Sequence, residues 1–164
     1  MKKIMKKLVV CVTVLTISSA FALTAMAGDP GLSGKNYVIG TKIIDNPEIS
    51  FTHVAVNQSS SQDQVTFSVS RTKKFTGSLA SEIEGNAVVY KCGIKSEVSY
   101  GTESSYSTSC TWTIPAYSSV TCRYGSALVN TTGTMETWFN GRLTSARTAS
   151  AKYTYASYSD KYVN

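Results

Sequence analysis

The chain has 164 residues, a formal net charge of +6 and a mean hydropathy of −0.06, which is room for one principal domain. Its single histidine leaves little material for imidazole chemistry or a metal centre. No G-x-S-x-G or H-E-x-x-H motif occurs, so no recognised catalytic apparatus is encoded.

Residues 1–27 read as a cleaved secretory signal. Lys2, Lys3, Lys6 and Lys7 form a basic start, residues 8–23 an apolar run, and Ala25-Met26-Ala27 before Gly28 an A-x-A cleavage site between Ala27 and Gly28. A retained helical anchor needs about 20 apolar residues, whereas this run is shorter and carries Thr13, Thr16, Ser18 and Ser19. Val10 is too large for the small residue a lipobox needs before Cys11, so Cys11 counts as part of the apolar run. The expected location is secreted and extracellular, the leader being of bacterial type. No nucleotide cofactor is supplied there and thiols tend to oxidise; no cofactor is expected.

Removing the leader leaves 137 residues and takes four of the 16 Lys and Arg but none of the ten Asp and Glu, so the net charge falls to +2. That argues against a nucleic-acid partner. Lys73-Lys74 beside Arg71, the densest basic spot, reads as a solvated strand face. The remaining chain holds 22 Ser, 17 Thr and ten Tyr. Its β-branched and aromatic residues recur regularly, which predicts an all-β, antiparallel fold with no helix longer than two turns.

In chain order, residues 28–47 carry Gly28, Pro30, Gly31, Gly34, Gly40 and Pro47 and read as an irregular lead-in with one short strand at 37–39. A single β domain follows over 48–164. Val65, Phe67 and Val69 alternate with Thr66, Ser68 and Ser70 as a half-buried strand. After a turn at Glu84-Gly85-Asn86 the apolar parity is even: Val88, Tyr90, Cys92, Ile94, Val98, Tyr100, then Tyr106, Cys110, Trp112 and Ile114. Further strands are expected at 118–123, 126–130, 135–139 and 149–158, with joints near Gly133 and at Asn140-Gly141, the strongest two-residue hairpin signal.

Centring a hairpin on Gly101 sets Cys92 opposite Cys110, Tyr90 opposite Trp112 and Val88 opposite Ile114. Apolar residues then share one face, with Lys91, Lys95, Glu97 and Glu103 on the other. Such an amphipathic hairpin over 85–115 is a candidate membrane element, its lipid side formed by Val88, Tyr90, Ile94, Val98 and Tyr100.

Three cysteines follow the leader, Cys92, Cys110 and Cys122, so one disulfide at most can form within the chain. Cys92–Cys110 fits the hairpin above, and Cys110–Cys122 fits a hairpin turning at Pro115-Ala116-Tyr117; Cys110 belongs to both. Their spacing is not that of a zinc site. His53 has no placeable nucleophile or orienting carboxylate. Glu82 and Glu84 would share a strand face or turn with no apolar pocket to shift a pKa. Catalytic, metal-binding and cofactor-binding residues are therefore expected to be none. Tyr153, Tyr155, Tyr158 and Tyr162 near the C-terminus read as sheet packing, with sugar stacking or a membrane interface as the functional alternative.

The run Val65-Thr66-Phe67-Ser68-Val69-Ser70, followed by Phe75-Thr76-Gly77-Ser78-Leu79, a Ser/Thr-rich stretch to Ser109 and Thr111-Trp112-Thr113-Ile114-Pro115, resembles the central β-module of aerolysin/epsilon-toxin-type pore formers over about residues 50–128. The resemblance implies an elongated antiparallel sheet, aerolysin-like in form. It also implies a Ser/Thr-rich amphipathic hairpin that refolds into a transmembrane barrel of several copies. No receptor-binding domain matches, since 28–47 is too short for one. The sequence thus predicts a secreted, non-enzymatic β protein that binds a cell-surface or membrane component, with a homo-oligomer as a candidate assembly. Alternatives are a small pore-forming toxin or bacteriocin-like agent, and a secreted hydrolase or inhibitor with an unrecognised site.

Overall fold

The computed structural model describes residues 33–164; the leader and its cleavage site at Ala27 and Gly28 lie outside the described residues. Five antiparallel strands and one helix make up the fold: β1 (Gly34–Asn57), β2 (Asp63–Gly77), α1 (Glu82–Cys92), β3 (Glu103–Ile114), β4 (Ser118–Phe139) and β5 (Arg142–Val163). Sheet order is β1-β4-β5-β2-β3. The all-β, antiparallel expectation holds. Strands of 22 to 24 residues are several times the usual length and make the β1-β4-β5 sheet roughly 70 Å long at about 3.3 Å per residue.

The two inner ladders are unequal. β4 pairs with β1 and β5 along nearly its whole length. In contrast, β2 joins β5 only at Phe75↔Tyr153, Thr76↔Lys152 and Gly77↔Ala151. From Lys74 back to Asp63, β2 pairs with β3 alone. This hairpin lies over one end of the long sheet and closes a core of Val69, Trp112, Ile114, Ala55, Val120, Cys122 and Tyr124. Helix α1 covers the next stretch, where Val88 and Cys92 meet Tyr37, Phe75, Val129, Met135 and Tyr153.

Residues 34–47 are the first half of β1 and not an irregular lead-in. The disruptive residues are absorbed as register shifts between Ile39 and Thr41 and between Asp45 and Glu48. These are the sites of Gly40 and Pro47, and an edge strand tolerates a proline at a bulge. Gly133, expected at a joint, is mid-strand between Ile39 and Ala149. A Cβ there would overlap the Val38 carbonyl oxygen and the Tyr37 ring. Asn140 and Gly141 do form the β4–β5 turn, with φ of 47° and 73°, the positive pair that a two-residue hairpin of the I′ kind requires.

The largest departure is at 82–92. Ser81 accepts a hydrogen bond from the Glu84 amide, Glu82 and Glu84 lie in the first turn and Lys91 in the last. Gly93 (φ 68°) ends the helix, its N–H donating to the carbonyls of Val89 and Tyr90. Capping at both ends and charges matched to the dipole favour a helix of 11 residues. That is three turns where none longer than two is expected from the composition.

Candidate interaction surface

Because 82–92 is helical, the hairpin centred on Gly101 does not exist. Val88 is fully buried on α1 and Tyr90 is exposed on it. Ile94, Val98 and Tyr100 lie in the connection 93–102, packed against the core under α1. Tyr100 is pinned there by its hydroxyl, which donates to the Leu79 carbonyl at 2.8 Å, and by an edge-on contact with Phe75. These five residues share no strand face and form no membrane hairpin in this fold.

A two-faced hairpin is nevertheless present, in β2 and β3. Val65 pairs with Trp112, Phe67 with Cys110 and Val69 with Thr108, facing the long sheet. The alternate positions pair hydroxyl with hydroxyl: Thr66 with Thr111, Ser68 with Ser109, Ser70 with Ser107 and Thr72 with Ser105. All but the half-buried Thr72 face water, and the Thr66 and Thr111 hydroxyls bond at 2.8 Å. The period of two puts Val65, Phe67, Val69, Cys110, Trp112 and Ile114 on one side and Thr66, Ser68, Ser70, Ser107, Ser109 and Thr111 on the other. Phe51, His53, Phe67 and Trp112 stack along the seam between the hairpin and β1, His53 lying 4.5 Å from the Phe67 ring centre.

Arg71 is the buried charge on the apolar side. It donates to Glu97 at 2.6 and 2.5 Å, reaches the Ser126 hydroxyl and the Ala156 carbonyl, and stacks on Tyr106. Burial alone would lower the guanidinium pKa, but the Glu97 carboxylate outweighs it and holds Arg71 charged. Glu97 belongs to the connection 93–102, so the pair fastens that segment, the root of the hairpin and the long sheet at one point.

Glu84 makes a second fastening. Its buried carboxylate receives the Ala80 amide at 2.8 Å, Lys35 of β1 at 3.2 Å and Arg147 of β5. Burial raises its pKa, and the Ala80, Lys35 and Arg147 contacts more than reverse this, leaving it below the ordinary carboxylate value. Glu82 is exposed at the helix start, so the two carboxylates do not share a strand face. Among the described residues no carboxylate is hydrogen-bonded or ion-paired to His53, and no group of three His, Cys, Asp or Glu side chains could hold a metal.

Among the described residues Cys92, Cys110 and Cys122 are all free, so neither expected pairing is formed here. Cys92 ends α1 in one core, whereas Cys122 is in the other. Cys110 and Cys122 do not sit on neighbouring strands, because the corner at 115–117 carries the chain from the hairpin layer to the long sheet and β3 pairs only with β2. Burial pushes the Cys122 thiol pKa up. Tyr153 is fully buried and its hydroxyl donates to the Ile94 carbonyl at 2.9 Å, so it packs the sheet as expected. Asn57 clasps the corner. Its amide donates to the Ser61, Ile114 and Pro115 carbonyls, and its oxygen accepts from the Ser59 amide at 2.9 Å.

No family model matches the chain, and no curated relative matches it. Among solved structures it is similar to the parasporin-2 toxin of Bacillus thuringiensis, described as recognising cancer cells. The identity is 13% and the TM-score 0.30, over 80% of this chain and 72% of that one.

Proposed function

We propose that this chain is an exported, non-enzymatic β protein that acts at a cell surface, with the β2–β3 hairpin as its acting element. The observation that carries the reading is the unequal attachment of that hairpin. Twelve residue pairs hold it together, while three backbone pairs at Phe75, Thr76 and Gly77 join it to the long sheet. The rest of its attachment runs through side chains: apolar packing, the Arg71–Glu97 and Lys74–Glu48 ion pairs, and side-chain hydrogen bonds from Ser50, Ser126 and Lys161 to the Ser70, Thr72 and Thr113 carbonyls. Side-chain packing can be exchanged for another apolar partner, whereas a broken ladder must find new hydrogen bonds. The hydroxyl face meets water whether the hairpin is docked or displaced.

The test is binding of the purified chain from residue 28 to intact bacterial and animal cells. Saturable binding without turnover of any glycan, ester or peptide substrate supports the reading. Absence of binding to every cell type, or hydrolysis of any of those substrates, contradicts it.

One observation favours pore formation as a second reading. The twelve-pair hairpin exceeds the 9–11 residues that a membrane-crossing strand needs, and its faces alternate as a barrel strand demands over Val65–Val69 and Cys110–Ile114. A closed barrel of at least eight strands would take about four copies. Arg71 on the apolar side opposes full insertion, because an unpaired charge in hydrocarbon is costly. Dye release from liposomes decides between pore formation and surface binding alone. Among the described residues, no helix is long and apolar enough to cross a membrane.

A further inference from the structure

The far end of the long sheet carries features that the hairpin does not explain. Phe139 and Leu143 flank the β4–β5 turn and are 62% and 49% exposed. Trp138 is cross-strand from Leu143, and Arg142 is cross-strand from Phe139. The turn is rigid: Asn140 and Gly141 hold positive φ, and the Asn140 amide donates to the Ser33 hydroxyl at 3.0 Å. Arg142 makes no ion pair among the described residues. Glu136, the acid nearest the turn on β4, is already hydrogen-bonded to Asn36 and to the Trp138 ring nitrogen. Two solvent-facing apolar side chains, an indole and an unpaired arginine on one stiff turn are the residue types that settle at a lipid headgroup boundary.

The chain outside the described residues points to the same occupant. Gly34 pairs with Trp138, so residues 1–32 enter the domain at this tip. The apolar run of the leader ends at Leu23, ten residues before Ser33, a covalent reach of at most about 35 Å. In the precursor, a leader held at a membrane would keep this tip within that reach of the bilayer, while the opposite end of a sheet roughly twice that long would lie farther off.

We infer that the Phe139–Leu143 tip is a membrane-attachment surface that seats Phe139 and Leu143 in the headgroup region of a lipid bilayer, with Arg142 directed at lipid phosphate. The inference rests on the reading of this chain as acting at a cell surface and supplies the lipid contact for it. It is separate from the hairpin, which lies over the other end of the sheet.

The experiment uses the full chain from residue 28 and vesicles of phosphatidylcholine, alone or with one quarter phosphatidylglycerol. Binding is read by sedimentation and by quenching of Trp138 with brominated lipid. The buried Trp112 serves as the internal reference. Wild type should sediment with both vesicle types and better with the anionic one, and Trp138 should be quenched. Phe139→Ser and Leu143→Ser should each lower the partition coefficient about tenfold. Arg142→Gln should abolish the preference for anionic vesicles. Unchanged melting temperatures will show that the variants fold, since both apolar side chains are exposed. Wild-type binding that survives the double variant unchanged overturns the tip and leaves the cell-surface reading standing. Binding to cells but to neither vesicle also overturns the tip. Loss of vesicle binding in the double variant supports it, whatever the hairpin does.

Discussion

Arg71 on β2 and Glu97 on the connection before β3 form a two-pronged pair, with N–O distances of 2.6 and 2.5 Å, between the hairpin and the long sheet. The guanidinium is almost wholly removed from water and the carboxylate mostly so, with side-chain exposures of 3% and 20%. Removing one partner strands a buried charge. Glu97→Ala should therefore cost about 3 kcal/mol, while replacing both by Met and Leu should cost much less than twice that. Urea unfolding of the two single variants and the double variant measures the coupling. Additive losses would mean that the two side chains act independently.

Glu84 predicts an acid limb in stability. Its folded pKa lies below the ordinary value of 4.5, so the native state favours the ionised form. The stabilisation is complete above the unfolded pKa and is lost as pH falls through the folded one. Melting temperature should be flat from pH 7 to about pH 5 and fall below that. Glu84→Gln should be less stable at neutral pH and lose part of the acid dependence. Asp160, held low by Arg123 and Tyr158 against the opposing effect of burial, contributes in the same direction.

The helix should respond to its caps. Ser81→Ala should destabilise by about 1 kcal/mol. Gly93→Ala, which forces a side chain into φ 68°, should cost a further 1–2 kcal/mol or so. Both should be read as chemical denaturation midpoints. A neutral result at both positions would mean that 82–92 is not helical.

Gly133→Ala tests how closely β1 lies on β4. The added methyl meets the Val38 carbonyl oxygen and the Tyr37 ring, so overpacking should cost about 2 kcal/mol. A melting temperature equal to wild type would show that β1 is not paired at that register.

The thiols give an independent check of the two cores. Unfolded, unreduced protein should show three reactive cysteines after residue 27. In the folded protein half-buried Cys110 should react before buried Cys92 and Cys122. A thiol count of one would restore a disulfide.

What could be read from the sequence depended on period and punctuation. Val65, Phe67 and Val69 alternate through a strand with one wet face, so their inward side was legible, as was the Asn140-Gly141 turn. The same parity misled at Val88 and Cys92, because a spacing of four residues lies on one face of a helix as well as of a strand. The deciding signals were local: Ser81 with Glu84 three residues on, and Gly93 at the far end. Pro47 and Gly40 look like loop residues because single-sequence reading does not reveal that they sit in bulges of an edge strand. The partner of β2 was hidden for a further reason. Its 25-residue connection to β3 contains a helix, and no hairpin rule reaches across such a span. Arg71 was visible only as part of a basic spot, since its Glu97 partner is 26 residues away.

The most direct test of the central claim is residue-resolved amide hydrogen exchange on the chain from residue 28, alone and with the cell membranes it binds. If the β2–β3 hairpin is the acting element, amides of 63–74 and 103–114 change protection on binding, while the β4 and β5 amides facing each other keep theirs. Unchanged protection in the hairpin, or an equal change across all five strands, would contradict it.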